Sequence, residues 1–378
     1  MNVRQEVLYR DFTILVVDDD INMTLFLKRT LEKRGYRVFT TSNANEARIL
    51  LSSEKIDILL LDVNIPGESG YSLCQSLRTN PEFELLPIIF ITTVDKTSGL
   101  EEAVSYGGDD YISKPVNTRE LLAKVRSYCR IKALQDLFLK QKQDYERELA
   151  TARKVQVQMI PEKEFQWHGC NIRTFFKPVI EIGGDYVDVW ETGGKLHIVI
   201  ADSIGHGPSG ALLGAMFKMQ LYSLGKELPL KERVELLRKN LIKAIPENYS
   251  ITFFYGILSD DLKFSYINGG NPPPLLYANG SVSELPGKSP LIIDLDIPQK
   301  TEVKEIQLQK DSILFLYTDG VSEATSPDMK MLGTGGLKKL IPKCVKEGDI
   351  IDNIMLEVKK FCGLYAPHDD IAMIRVQL

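Results

Sequence analysis

A stretch without glycine or proline, from Thr118 to Met159, constrains the fold of this chain more than any other feature. Its apolar residues recur every three or four positions, the spacing of an amphipathic helix, and Pro161 would close it. Such a helix cannot bury its apolar seam alone. We predict a coiled-coil homodimer, and packing of the seam on the chain's own domains is the alternative. The seam comprises Leu121, Leu122, Val125, Ile131, Leu134, Phe138, Tyr145, Leu149, Ala152, Val155 and Met159.

Length and composition indicate a multidomain protein without a membrane segment. At 378 residues the chain exceeds one typical domain, so we predict a first domain at 1–130, a helical linker at 131–165 and a second domain at 166–378. The net charge of −5, with acids and bases mixed, favours neither nucleic acid nor membrane as a partner. The segment from Met1 to Asp11 is polar, and no apolar run reaches the ~18–20 residues that span a bilayer. We expect a cytoplasmic protein.

The first domain alternates short apolar runs with helical patterns. Continuous Val, Ile and Leu runs are typical of parallel strands buried on both faces. The runs are Ile14–Val17, Arg37–Thr40, Ile56–Leu61, Ile88–Thr92 and Tyr111–Ser113, and helical patterns include Asn22–Arg34 and Asn43–Leu51. Five such units predict a doubly wound α/β fold with a parallel sheet, in which ligands bind at the carboxyl ends of the strands.

The second domain has a different texture. Short strand patterns with turn signals lie at Ser250–Leu258, Lys263–Asn268 and Ile313–Thr318, and helical patterns lie at Ser209–Leu224, Leu230–Ala244, Gly336–Val345 and Ile350–Phe361. This mixture predicts an α+β domain, a β-sandwich with helices outside.

Polar residues follow several strands of the first domain. Asp18 and Asp19 follow the first apolar run and Asp62 follows the third, where carboxylates from neighbouring strand ends could hold Mg²⁺. The ion would shield a carboxylate nucleophile that forms a transient aspartyl phosphate. Thr92 and Lys114 follow the fourth and fifth runs, and a hydroxyl and an ammonium suit phosphoryl oxygens. One such aspartate alone would indicate a turn or helix cap, but the ordered set indicates a phosphorylation site.

This set resembles the response-regulator receiver family across residues 12–130. The resemblance implies that Asp62 is the phosphoacceptor and that a cognate histidine kinase is the partner that phosphorylates it. It implies a Mg²⁺ site formed by the acidic pair Asp18 and Asp19, by Asp62 and by the backbone carbonyl of Asn64. The implied switch residues are Thr92, Tyr111 and Lys114.

Acidic residues also stand at the ends of apolar runs in the second domain. These residues are Asp185, Asp202, Asp319 and the pair Asp369-Asp370. Each alone would be interpreted as a turn aspartate. Several oxygen ligands without matching His or Cys ligands favour Mg²⁺ or Mn²⁺ over zinc. Two such ions can activate a water and neutralise a phosphoryl group without a side-chain nucleophile.

Five short patterns around these aspartates occur in order along the chain. They are Glu148-Leu149…Ala152-Arg153…Gln156…Pro161, Gly183-Gly184-Asp185-Tyr186, Asp202…Gly205-His206-Gly207, Tyr317-Thr318-Asp319-Gly320-Val321-Ser322-Glu323-Ala324 and Asp369-Asp370-Ile371. Together they resemble the sporulation stage II protein E branch of the PPM (protein phosphatase 2C-like) family over about residues 148–378. The resemblance implies an α-β-β-α sandwich and a metal-dependent protein serine/threonine phosphatase with two ions, Mn²⁺ or Mg²⁺.

The resemblance also implies a role for each ligand. Asp202 would bridge the two ions with the Ser203 backbone carbonyl beside it, Asp185 would serve the second ion, and Asp319 and Asp369 would complete the first. His206, between two glycines, is interpreted as a turn residue rather than a general acid.

Two segments depart from the family pattern. Asn268-Gly269-Gly270-Asn271-Pro272-Pro273-Pro274 stands where the family has Asn-Ala-Gly-His-Asn-Pro-Pro, and Pro290-Leu291-Ile292 stands where it has Pro-Leu-Gly. We expect both to affect substrate preference rather than metal binding.

The sequence therefore predicts an enzyme in which phosphorylation of a receiver controls a phosphatase. The expected substrate is a phosphoserine or phosphothreonine on an anti-sigma-factor antagonist in a partner-switching pathway. The alternative is a degenerate phosphatase that acts as a phosphorylation-controlled protein-binding adaptor. All four acidic positions are filled, which favours the enzyme. A nucleic-acid-binding regulator is disfavoured because no basic recognition helix follows the receiver.

Overall fold

The computed structural model describes residues 12–93, 99–205, 207–225, 227–246, 249–287, 301–364 and 368–378. The segment from Met1 to Asp11, the turn residue His206 and the segment Pro290-Leu291-Ile292 lie outside these described residues. The chain divides into two compact units, one ending at Asp144 and the other beginning at Tyr145.

The N-terminal unit confirms the predicted doubly wound α/β fold. Its strands are β1 (Thr13–Val17), β2 (Arg37–Thr41), β3 (Ile58–Asp62), β4 (Ile88–Thr92) and β5 (Asp110–Ser113), and its helices are α1 (Ile21–Glu32), α2 (Ala44–Ser53), α3 (Gly70–Arg78) and α4 (Gly99–Ser105). The strands are parallel in the order β2-β1-β3-β4-β5. Because β1 and β3 are neighbours, the residues at their carboxyl ends meet at one edge of the sheet.

The apolar runs of this sheet are buried because helices cover both faces. Leu15 and Val17 of β1 pack into one hydrophobic cluster, whereas Ile14 and Val16 pack into the cluster on the opposite face. All four side chains are fully buried. Each such burial stabilises the fold by about 1.5–3 kcal/mol.

Helix α5 (Thr118–Met159) has the predicted bounds. Its first turns belong to the N-terminal unit, where Leu121 and Val125 are buried in the core, so the alternative of packing on the chain's own domain holds there. Further along, Leu134 and Phe138 are exposed, with 67 % of Phe138 accessible. Leu149 is buried again. The seam is therefore buried in its first turns and at Leu149, and it is exposed at Leu134, Phe138 and, near the end of the helix, Val155.

The C-terminal unit is built on two antiparallel sheets. Its strands are β6 (Glu164–Trp167), β7 (Cys170–Lys177), β8 (Tyr186–Thr192), β9 (Lys195–Ser203), β10 (Ile251–Leu258), β11 (Lys263–Gly269), β12 (Leu275–Ala278), β13 (Ser281–Glu284), β14 (Lys304–Gln307), β15 (Ile313–Tyr317) and β16 (Ile371–Gln377). One sheet has the order β14-β11-β10-β9-β8 and the other β13-β12-β15-β16-β7-β6. The helices are α6 (Pro208–Ser223), α7 (Leu230–Ala244), α8 (Asp319–Ser322), α9 (Gly333–Lys346) and α10 (Ile350–Cys362).

Three hydrophobic clusters arrange these elements in layers. The central cluster joins the two sheets, with Ile198 from one and Ile374 from the other. A second cluster packs α6 and α7 on the first sheet, and a third packs α9 and α10 on the second. This layering confirms the predicted α-β-β-α sandwich.

Within the described part of the chain, no helix combines the length and the apolar character that crossing a bilayer would require.

Candidate functional site

Three aspartates meet at the carboxyl edge of the N-terminal sheet. Asp18 follows β1 and is buried, Asp62 ends β3 and is buried, and Asp19 is exposed. Each can bring a carboxylate oxygen to within 4.8 Å of the others, and among the described residues this is the one trio of possible metal ligands so arranged. The third acid, Asp20, instead caps α1 by accepting hydrogen bonds from Asn22 and Met23.

Lys114 neutralises this acidic group. Its ammonium lies 2.9 Å from Asp62 and 3.0 Å from Asp18. Burial raises the pKa of Asp62, and the Lys114 bond opposes that effect while the Asp18 charge adds to it. Burial alone would lower the pKa of Lys114, but its bonds to Asp62 and Asp18 outweigh burial and raise it. Lys114 therefore places a positive charge beside the two buried carboxylates.

Of the remaining predicted residues of this edge, Thr92 and Asn64 lie close to Asp62. Thr92 ends β4 and is buried, one residue beyond the Ile91 that pairs with Asp62. The Asn64 backbone amide donates a hydrogen bond to the Asp62 carboxylate, which lowers the pKa of Asp62. Tyr111, in β5, is half-buried with the Lys124 ammonium 5.3 Å from its ring centroid.

A second group of carboxylates gathers where the ends of the two C-terminal sheets meet. Asp185 directly precedes β8, Asp202 lies near the end of β9, Asp319 begins α8, and Asp369 shortly precedes β16. The four come from elements far apart in the chain, yet the charges of Asp319 and Asp369 act directly on Asp202. No three of them bring ligand atoms as close together as the receiver-edge trio does among the described residues.

Burial and mutual repulsion raise the pKa values of this group. Burial and then the charge of Asp319 raise the pKa of Asp202 to about 8. Burial and the Asp369 charge raise the pKa of Asp319 to about 6. Burial, and then the charge of Asp202, raise the pKa of Asp185 far above its ordinary value. Carboxylates so placed destabilise one another unless cations lie among them.

One buried oxygen supports a cation at this place. Asp319 Oδ1 is buried and accepts no hydrogen bond within the described structure. Buried carboxylate oxygens without a partner are costly, and a divalent ion is the natural partner in an all-oxygen cluster. The residues present therefore fit Mg²⁺ or Mn²⁺.

Comparison with protein families separates the two units in the same way. Residues 14–126 match the response regulator receiver domain model, and residues 192–378 match the model of stage II sporulation protein E (SpoIIE). The chain carries a receiver domain followed by a SpoIIE domain of the PPM type. The matches confirm both resemblances inferred from the sequence.

Similar proteins each cover only part of the chain. The phosphate regulon transcriptional regulatory protein PhoB of Rhizobium meliloti (strain 1021) is 40% identical over 117 residues, which are 31% of this chain. This chain spans about half (52%) of the length of that relative. The SiaA PP2C domain of Pseudomonas aeruginosa has a similar fold, with a TM-score of 0.54 at 16% identity over 63% of this chain and 98% of that one. The PP2C domain of SpoIIE from Bacillus subtilis aligns with a TM-score of 0.49 at 19% identity over 57% of this chain and 64% of that one.

The second acid of the Asp369-Asp370 pair has a structural task in the SpoIIE domain. Asp370 is buried, and its carboxylate accepts hydrogen bonds from the backbone amides of Val179 at 2.8 Å and Gly184 at 2.6 Å. The two residues therefore have different roles. Asp369 lies near the carboxylates of Asp202 and Asp319, and Asp370 stabilises the turn before Asp185. A doubled aspartate in the sequence did not indicate this division.

The Gly183-Gly184 turn needs glycine because of crowding. Neither glycine has the positive φ that only glycine readily adopts. A Cβ on Gly183 would lie 2.4 Å from the Asp370 carboxylate, and one on Gly184 would lie 2.5 Å from Ser203 Oγ. Ser203 itself is buried and donates a hydrogen bond to the Gly184 carbonyl.

Sequence reasoning missed Thr318 and gave Gln156 no role. Thr318 is fully buried, and its hydroxyl donates to Asp185 Oδ2 at 2.6 Å while accepting from the Ala372 amide at 2.9 Å. Gln156, near the end of α5, donates to the Gly183 carbonyl at 2.7 Å and accepts from the Gly183 amide at 3.2 Å. Neither contact has a signal in the spacing of residues, because each partner is remote in the chain.

The departure at Asn268–Pro274 lies in the core. Asn268 and Asn271 are both buried, and Asn271 donates to the Tyr317 carbonyl at 3.1 Å, just before Thr318 and Asp319. Asn271 therefore supports the strand end that carries Asp319.

Proposed function

We propose that this protein is a phosphatase of phosphoserine and phosphothreonine whose activity is set by phosphorylation of its receiver domain. The observation that carries the proposal is the gathering of Asp185, Asp202, Asp319 and Asp369 from four separate elements at one end of the sandwich. The match of residues 192–378 to the SpoIIE model supports it.

The ligand roles follow the chemistry of the carboxylates. Asp202 lies close enough to Asp319 and Asp369 for their charges to act on it. It would bridge two Mn²⁺ or Mg²⁺ ions, with the Ser203 carbonyl beside it. Asp185 would bind the second ion, and Asp319 and Asp369 the first. When bound, such ions supply a nucleophilic water at neutral pH and neutralise phosphoryl oxygens.

The chain's own groups hold this site in shape. Thr318 orients the Asp185 carboxylate, Asp370 fixes the Gly183-Gly184 turn, and the end of α5 grips the same turn through Gln156. Because folding already holds these carboxylates in place, they need not reorganise at each turnover. Such preorganisation accelerates reactions.

A matched threonine pair tests this support. We expect Thr318→Val to lower hydrolysis by about 10–100-fold, because the hydrogen bond that orients the Asp185 carboxylate is lost. Folding should persist with a loss of about 1–3 kcal/mol, since the Ala372 amide also loses its acceptor. The control Thr325→Val removes a hydroxyl that donates a hydrogen bond to the Glu323 carbonyl. Mn²⁺ titrations of activity and thermal melts provide the readouts; equal kinetics for both variants would contradict the role of Thr318.

The receiver completes the proposed function. Asp62 would accept a phosphoryl group from a histidine kinase, with Mg²⁺ held by Asp18, Asp19, Asp62 and the Asn64 carbonyl. Lys114 already bonds Asp62, and Thr92 and Tyr111 would respond to the phosphoryl group as switch residues. The proposed substrate is a phosphorylated protein similar to an anti-sigma-factor antagonist.

Helix α5 is the proposed connection between the domains. Its last turns hold the Gly183 turn, and its open middle seam would pair with a second copy in a coiled-coil dimer. Phosphorylation replaces the single negative charge of the Asp62 carboxylate with a phosphoryl group of about −2, and a helix with two packing arrangements could carry that change.

Beryllofluoride, a mimic of the phosphoryl group, tests the proposal in the full chain. We expect it to change the rate of phosphopeptide hydrolysis with Mn²⁺ at least about fivefold, the lower range of coupling between two sites. Light scattering should report a change in association at the same time. Asp62→Asn should abolish both responses while retaining basal hydrolysis. Absence of any hydrolysis would favour an adaptor, and hydrolysis that ignores beryllofluoride would refute the control by the receiver.

A further inference from the structure

Lys218 of α6 contacts both the end of α5 and strand β8 within the C-terminal unit. Its ammonium donates a hydrogen bond to the carbonyl of Met159, the last residue of α5, at 2.5 Å. It also lies 3.2 Å from Oδ2 of Asp188 in β8. A lysine at the carbonyl end of a helix satisfies an otherwise unpaired acceptor and interacts favourably with the helix dipole.

The partner carboxylate is deeply buried. Asp188 is 3 % exposed at its side chain, and the hydroxyls of Tyr186 and Tyr222 both donate to Oδ2. The ammonium also lies 5.7 Å from the Tyr186 ring centroid and 5.2 Å from that of Tyr222. The lysine is therefore held in one orientation, with a carboxylate and two aromatic faces on one side and the end of α5 on the other.

The same helix lies against the turn before Asp185. A Cβ on Gly210 of α6 would lie 2.8 Å from Gly184 Cα, and one on Gly214 would lie 3.4 Å from the Gly184 carbonyl. Backbone of α6 and backbone of the turn are thus in direct contact. A shift of α6 would therefore displace Gly184, one residue before the proposed ligand Asp185.

We propose that Lys218 is a positioning residue that anchors the end of α5 to α6, and through α6 to the Gly183-Gly184 turn. Its part in signalling rests on the proposed function, but the anchoring does not. The bond to Met159 would transmit a displacement of the linker helix to the helix that packs on the turn.

A simpler role would be neutralisation of Asp188 alone. Removing one partner of a buried ion pair leaves an uncompensated charge, so Lys218→Met by itself would be destabilised under either role. The double variant Lys218→Met with Asp188→Asn removes both charges and retains an acceptor for the tyrosine hydroxyls. This double variant distinguishes anchoring of α5 from neutralisation of Asp188. Once both charges are removed, only the anchoring role still predicts a change at the end of α5.

Hydrogen–deuterium exchange of the full chain tests the anchoring. We expect amides in the last turn of α5, residues 156–159, to exchange at least about tenfold faster in the double variant, because the terminal turn frays without its anchor. The matched control is Arg153→Met, which removes an exposed ion pair with Glu181 on the same stretch and should leave those amides unchanged. Exchange at the wild-type rate in the double variant would overturn the proposal.

The ratio of hydrolysis rates with and without beryllofluoride tests the signalling part. Anchoring predicts that this ratio falls towards one in the double variant and stays at its wild-type value in Arg153→Met. A wild-type ratio in the double variant would overturn the transmission through Lys218. Failure of the wild-type protein to hydrolyse any phosphopeptide would instead refute the proposed function, and the exchange measurement would still decide the anchoring.

Discussion

Asp202→Asn is expected to lower the rate of phosphopeptide hydrolysis by more than ~100-fold. A loss of up to ~100-fold is typical when a residue that only hydrogen-bonds to a metal ligand is removed. The charges of Asp319 and Asp369 both act on the Asp202 carboxylate, and Asp202 is the proposed bridge between two ions. An asparagine keeps the size of the side chain but offers a neutral oxygen, so two adjacent cations would lose their shared negative ligand. The measurement is the turnover number on a phosphopeptide at saturating Mn²⁺.

The same variant should be more stable than the native chain when metal is absent. Replacing Asp202 removes one charge from a cluster whose members repel one another. Each kcal/mol gained raises the melting temperature by about 2–4 °C for a domain of this size. The control Asp260→Asn makes the same chemical change at an exposed turn aspartate and should alter neither activity nor melting. Equal turnover by Asp202→Asn and the native protein would refute the proposed mechanism.

Metal-free protein is expected to lose stability as pH rises from about 5 to 8.5. The folded-state pKa values of Asp319 and Asp202 are raised to about 6 and about 8, whereas an unfolded aspartate has a pKa of about 3.9. The folded state therefore binds these protons more tightly than the unfolded state. The stabilisation is complete below about pH 4 and is lost as pH rises through the two folded values.

Divalent ions should reverse this loss. At a concentration ~100 times the dissociation constant, an ion that binds only the folded state adds about 2.7 kcal/mol of stability. We expect the melting temperature of EDTA-treated protein to fall across pH 6–8.5 and Mn²⁺ to restore it most at the high end. A melting temperature that rises with pH in EDTA would contradict the repulsive cluster.

The sequence predicted the elements with alternating or continuous apolar patterns accurately. Helix α5 has the bounds that its freedom from glycine and proline indicated, and β4 ends at Thr92 as expected. These features are local: helical spacing, buried runs and breakers act over a few residues, so they can be read without knowing the fold. The positions of Asp62 and Asp202 at strand ends follow from the same local patterns.

Only the tertiary structure decided how the site residues are held. Asp369 and Asp370 are adjacent and chemically identical, yet one faces the other acids and the other binds the backbone of Val179 and Gly184. Thr318 acquires its role from Asp185, more than a hundred residues away. The apolar seam of α5 is likewise continuous in the sequence, although Leu121 is buried in a core and Phe138 is exposed to solvent. Such roles depend on which residues become neighbours when the chain packs. Packing and the pairing of buried polar groups involve residues from many parts of the chain, so these neighbours cannot be predicted from local sequence.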